Sequence, residues 1–289
     1  MTAQTNTLTT RPVSGGLFNP VIFNETLRRG WMTAMWWSIG IASLVWMQIV
    51  AVPNADSVRQ ITTLLQSMPP AMLQMFGLSD MQFMATMNGY VAAQTFAYIP
   101  LVIAIYGVVC GLNVISGDED RGILDMFLST PVNRVSVIVS KTLVYVIFII
   151  GVVASMFVGL WIGLLMAPEI AAEVDQGAML VTTLAMIPAV LAAYGFTVML
   201  TGLLRNRGMA ITVVSVVLIG SYFLDTLGKS AAEGSILHTI RPLSYNAWYD
   251  YQGILQNGIM WGNFAVLLVV AVILILVGMF GFKRRDVGA

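Results

Sequence analysis

Six long apolar runs, separated by polar or proline-containing segments, divide the chain at roughly Trp31 to Val52, Gly89 to Ile115, Thr142 to Met166, Ala178 to Leu204, Met209 to Leu227 and Ile259 to Phe282. Crossing about 30 Å of hydrocarbon takes about 20 apolar residues in a helix, because a helix satisfies every backbone group within its own segment. The pattern predicts an all-α polytopic membrane protein with six transmembrane helices. Asp225 stands near the end of the fifth and shortest run. An ionised group at a helix centre costs about 2.5–3.5 kcal/mol on insertion scales, so Asp225 belongs at an interface.

Between the runs the periodicity changes. Before the first, Asn19-Pro20-Val21-Ile22-Phe23-Asn24-Glu25-Thr26-Leu27-Arg28-Arg29 has Asn at a helix N-cap, Pro at N1 and arginines in the last turn. Ile22, Phe23 and Leu27 share one side, which predicts a short amphipathic helix on the inner membrane surface. After the second run, Ser116-Gly117-Asp118-Glu119 fits a capping box, and Asp118, Glu119 and Asp120 put negative charge at the positive end of the helix dipole. That helix continues through Leu128, stops before Pro131, and gathers Ile123, Leu124, Phe127 and Leu128 on one face. Transmission of force from a cytoplasmic partner and a plain surface-lying linker both fit it. On the other side, Ser57 to Phe76 reads as two short surface helices broken at Pro69-Pro70. Tyr245, Trp248, Tyr249 and Tyr251 read as an interfacial aromatic belt, with a lid as the alternative.

Charge sets the orientation. With the N-terminus inside, inner segments hold Arg11, Arg28, Arg29, Arg121, Arg134, Lys141, Arg205, Arg207, Lys283, Arg284 and Arg285, and outer ones only Arg59, Lys229 and Arg241. The positive-inside rule therefore places both termini in the cytoplasm. Residues 1–17, rich in Thr, Ser and Gly without an apolar h-region, read as a disordered tail and not a signal peptide, leaving 18–289 as one transmembrane domain. Only 10% of the residues are charged, and acids balance bases at 14 each, which gives no reason to expect nucleic acid as a partner. The single cysteine, Cys110, excludes an intrachain disulfide.

Chemistry is sparse. Gly228-Lys229-Ser230 resembles the end of a phosphate-binding loop, but that motif requires a glycine where Phe223 stands, so any ATP is hydrolysed on another chain. The one histidine, His238, rules out a histidine-based zinc site, and Asp225 and Asp250 lack the glycine-flanked setting of an intramembrane aspartyl dyad. The spans carry Gln48, Gln94, Asn113 and Asn263 but no charged relay, which ranks an ion-coupled secondary transporter second and an enzyme far behind. Gly107-x-x-x-Gly111 and Gly159-x-x-x-Gly163 would let helices approach closely, and fit a dimer interface.

Met68-Pro69-Pro70-Ala71, Phe76-Gly77, Gly117-Asp118-Glu119-Asp120-Arg121-Gly122-Ile123-Leu124, Ser129-Thr130-Pro131-Val132-Asn133-Arg134, Lys141 and the closing Phe282-Lys283-Arg284-Arg285-Asp286-Val287 together resemble the membrane subunits of ABC-2 type exporters. Ile123 departs from the family's usual threonine. The resemblance implies a permease of an ATP-driven exporter in the inner membrane of a prokaryote. Two such subunits, identical or paralogous, would form one pathway in lipid above two ATPase subunits that carry ATP and magnesium, with no cofactor on this chain. It also implies that the helix from Ser116 to Leu128 is the coupling helix. Asp118, Glu119, Arg121, Gly122, Leu124, Phe127, Pro131 and Arg134 would contact the ATPase, with Phe23, Arg28, Arg29, Arg205 and Arg207 as secondary contacts. The pathway would lie between the second and fifth spans.

Overall fold

A computed structural model describes residues 16–51, 60, 63, 64, 67, 83, 86–115, 117, 134–204, 206–231 and 234–284. Among them all regular structure is helical. In chain order the helices are α1 (Pro20–Val50), α2 (Met87–Phe96), α3 (Ile99–Val114), α4 (Arg134–Met166), α5 (Pro168–Glu173), α6 (Gln176–Ala185), α7 (Ile187–Leu203), α8 (Arg207–Ser230), α9 (Ile236–Ile240), α10 (Tyr251–Asn257) and α11 (Trp261–Arg284). Six helical segments are long and apolar enough to cross a membrane: α1, α2 with α3, α4, α6 with α7, α8, and α11. The expected polytopic fold is therefore present.

Two boundaries differ from the sequence pattern. Asn19 does cap a helix, its side chain accepting from the Val21 and Ile22 amides, but α1 then runs unbroken to Val50. The expected surface helix is the first turns of the first span, because Gly30 is the only weak helix former at the junction and one glycine costs only about 1 kcal/mol. Likewise α4 opens at Arg134 instead of Thr142, so Lys141 lies inside it.

The second and fourth spans are both broken ten residues from their starts, at Ala97–Tyr98 and at Met186. Pro100 and Pro188 follow these breaks, and each lacks the amide hydrogen that would continue the ladder. These two spans are also the most enclosed of the six.

Packing depends on small residues. A Cβ on Gly159 would collide with the Ala42 carbonyl, and one on Gly163 would lie 2.8 Å from Ile49 Cβ, so the first and third spans touch backbone to backbone. The fourth and sixth do the same: a Cβ on Gly202 would strike the Gly278 carbonyl, and one on Gly195 would come within 2.7 Å of the Ala271 carbonyl. Gly107 and Gly111 bring the second span against the fourth, at Val190, Tyr194 and Thr197. Both Gly-x-x-x-Gly motifs thus pack against helices of the same chain. Without a hydrophobic drive between helices in lipid, this close contact is what holds the bundle.

Replacing Gly159 with Leu should therefore abolish the monodisperse folded protein in detergent, while Gly151→Leu, with open space around its Cβ, should leave its melting temperature within a few degrees. Equal behaviour of the two variants in a size-exclusion thermal-shift assay would contradict this packing.

Candidate functional site

At the basic end of the bundle three spans are tied together. The Asn19 amide donates to Ser140 Oγ at 2.8 Å, joining the start of the first span to the third. Lys141, itself buried, donates from Nζ to the Val114 carbonyl at 3.2 Å and so joins the third span to the end of the second. The segment 116–133 leaves from the second of these ends and returns to the third.

A cavity of about 160 Å³ opens here between the first three spans. Its walls are Ile22, Gly30, Tyr106, Val109, Cys110, Tyr145 and Phe148, and its polar rim is Glu25, Thr26, Arg29, Thr33, Asn113, Gly117 and Lys141. Gly30 makes room for the Phe148 ring, which a side chain at that position would displace. Thr26 hydroxyl returns its hydrogen to the Ile22 carbonyl at 2.8 Å. Glu25 pairs with Arg28 and Arg29 along one helix face, one carboxylate between two guanidinium groups.

Of the residues that sequence reasoning put forward, Asp118, Glu119, Arg121, Gly122, Leu124, Phe127, Pro131 and Arg205 lie outside the described residues, as does the Arg134 side chain. The expected surface helices of 57–76 also fall largely outside them. Phe23 packs into the apolar core and against the Phe18 ring, centroids 5.7 Å apart, and Arg28 and Arg29 stay largely exposed. Arg207 opens α8 behind an Asn206 cap.

The opposite end is tied by groups that the sequence named without revealing how they pair. Within residues 234–260, Tyr249 and Tyr251 of the expected aromatic belt turn inward onto the helix ends, while Ile236 and Leu243 stay exposed. Tyr249 is buried and its hydroxyl donates to the Thr182 carbonyl at 3.2 Å. That carbonyl is free because the Met186 amide, at the break, turns to Thr183 instead. Burial pushes the Tyr249 hydroxyl well above its ordinary pKa, which keeps it protonated as a donor. The Tyr251 ring stacks on Phe96 beside the break in the second span. Asp225 accepts from Arg241 Nε at 2.9 Å and pairs with Lys229 at 3.2 Å, and Lys229 reaches Asp250 at 3.9 Å. Ser244 and Ser221 hydroxyls bond at 2.8 Å beneath this ion cluster. The fifth span is thereby latched to the outer loop, while Val216, Ile219, Phe223 and Leu227 leave its other face exposed. The second span, by contrast, exposes few side chains, chiefly Tyr98 and Ile105. Among the described residues no group of three acidic, histidine or cysteine side chains converges to hold a metal.

Tyr249→Phe should cost about 1–3 kcal/mol, because it orphans the buried Thr182 carbonyl. Asp225→Ala should cost more, since it strips two cations of their shared counter-ion. Thermal unfolding in detergent checks both, and a neutral Asp225→Ala would contradict the latch.

No curated protein sequence matches the chain. A family described as "Multidrug efflux system permease Rv1217c, C-terminal domain" matches residues 19–283, from the cap of the first helix to the last turn of the sixth span. Six apolar helices, two tied ends and a match across nearly the whole length converge on one assignment: the chain belongs to this multidrug efflux permease family.

Proposed function

We propose that this protein is the membrane-spanning half of an ATP-driven ABC-2 type exporter. It works as a pair, with a second copy or a paralogue, and is driven by two separate ATPase subunits that carry ATP and magnesium. The chain itself supplies no catalytic group. Its home is the inner membrane of a prokaryote, with both termini in the cytoplasm.

The observation that carries this reading is the arrangement around segment 116–133. Both ends of that segment sit on helices joined by Lys141 to Val114, and the third span is joined in turn to the first by Ser140 to Asn19. A push on the segment is therefore shared by three spans at once. With the ATPase below, Asp118, Glu119, Arg121, Gly122, Leu124, Phe127, Pro131 and Arg134 form the coupling contact, and Phe23, Arg28, Arg29, Arg205 and Arg207 the secondary ones. The cavity open at the basic end and the latch at the other support alternating access, in which ATP binding shifts the population from an inward-open to an outward-open state.

ATPase activity of this chain co-purified with its candidate ATPase in lipid tests the proposal. The intact complex should turn over, and Glu119→Ala and Gly122→Pro should each lower coupled turnover on the order of tenfold, equivalent to about 1.4 kcal/mol of coupling. If no ATPase associates, or if both variants leave turnover and cellular efflux unchanged, the proposal fails and an ion-coupled transporter takes its place.

A further inference from the structure

We infer that the cavity between the first three spans is a binding site for an amphiphile without positive charge: one aromatic ring next to a hydrogen-bonding group. Its role as the first stop of an exported cargo rests on the exporter reading above, but the binding itself does not.

Size comes first. A dry cavity of about 150 Å³ accommodates benzene, so about 160 Å³ takes one ring or a short branched chain and leaves the rest of a larger molecule at the mouth. The walls favour a ring. Tyr145 and Phe148 meet edge to face with centroids 6.3 Å apart, and Tyr106 presents its own ring beside Trp37, 5.3 Å away. Such surfaces prefer offset or edge-on aromatic partners.

Charge and hydrogen bonding set the rest of the ligand. Glu25 is held by Arg28 and Arg29, and Lys141 lies against the neutral Val114 carbonyl, so the rim carries more cation than carboxylate and disfavours a positively charged ligand. Thr26 is satisfied by its own helix. Asn113 differs. Its amide lines the cavity, is only partly exposed, and makes no hydrogen bond among the described residues. It offers two donors and an acceptor at the inner end of the second span. A ligand with a carbonyl, hydroxyl or amine beside its ring fills the cavity and pairs this amide at once.

The test uses the full chain in lipid nanodiscs and N-phenyl-1-naphthylamine, a neutral aromatic amine whose fluorescence rises in an apolar site. Titration should saturate above the signal of empty nanodiscs. Asn113→Leu should weaken binding by up to about tenfold, the worth of one amide hydrogen bond. Thr33→Trp, from an exposed position at the mouth, should abolish saturable binding, and Gly30→Leu should do the same by filling the floor. Gly151→Leu, which adds bulk where nothing is near, should bind like wild type. Should Gly30→Leu misfold, Asn113→Leu and Thr33→Trp still decide. A signal equal to that of empty nanodiscs, or variants that all bind like wild type, would overturn the site. So would native mass spectrometry showing one phospholipid per chain that the probe does not displace. Saturable binding without an associated ATPase would retain the site and remove the exporter role; coupled ATP turnover without saturable binding would do the reverse.

Discussion

Close approach of helix backbones at glycine is the constraint on which the rest of the molecule depends. Gly159 against Ala42 and Gly202 against Gly278 allow no side chain between the helices, and so lock the first span to the third and the fourth to the sixth. The second span bridges the two pairs through Gly107 and Gly111 on the fourth and through Lys141 on the third. Lipid tails compete with every apolar contact on equal terms, so only contacts that lipid cannot imitate, such as backbone on backbone, select one arrangement. The fifth span lacks such a partner and is held mainly at its outer end, by Asp225, Arg241 and the paired Ser221 and Ser244 hydroxyls.

Unsatisfied backbone is the second constraint. The two most enclosed spans are interrupted before Pro100 and Pro188, and a carbonyl that loses its helical donor at such a break must find another within the bundle. Tyr249 supplies one to Thr182, which pins the outer loop across the break. The end that holds Tyr249 is thus closed by specific bonds, whereas the basic end encloses an open cavity. A molecule so built has one end that can open only when several named bonds break together.

How much of this the sequence disclosed follows from the kind of signal each feature leaves. Hydrophobic run length is read along the chain, and it revealed all six spans, the Asn19 cap and the side on which the positive charges gather. Continuity of α1 through Gly30 was hidden because one glycine after two arginines looks like a boundary, although its cost is small beside that of a proline. Gly-x-x-x-Gly marks close packing without naming the partner, and the partners proved to be Val190, Tyr194, Thr197, Ala42 and Ile49 of the same chain. The aromatic cluster at 245–251 carries the composition of a belt, and only the three-dimensional break at Met186 explains why Tyr249 turns inward. The cavity joins Glu25, Asn113 and Tyr145 from three different spans, a convergence with no linear trace.

Transport by the reconstituted pair is the most direct measurement. In inverted vesicles containing this chain with the proposed ATPase, the account predicts uptake of a fluorescent drug that starts with ATP and persists when ionophores collapse the proton and sodium gradients. Uptake that ignores ATP and vanishes with those gradients would contradict it.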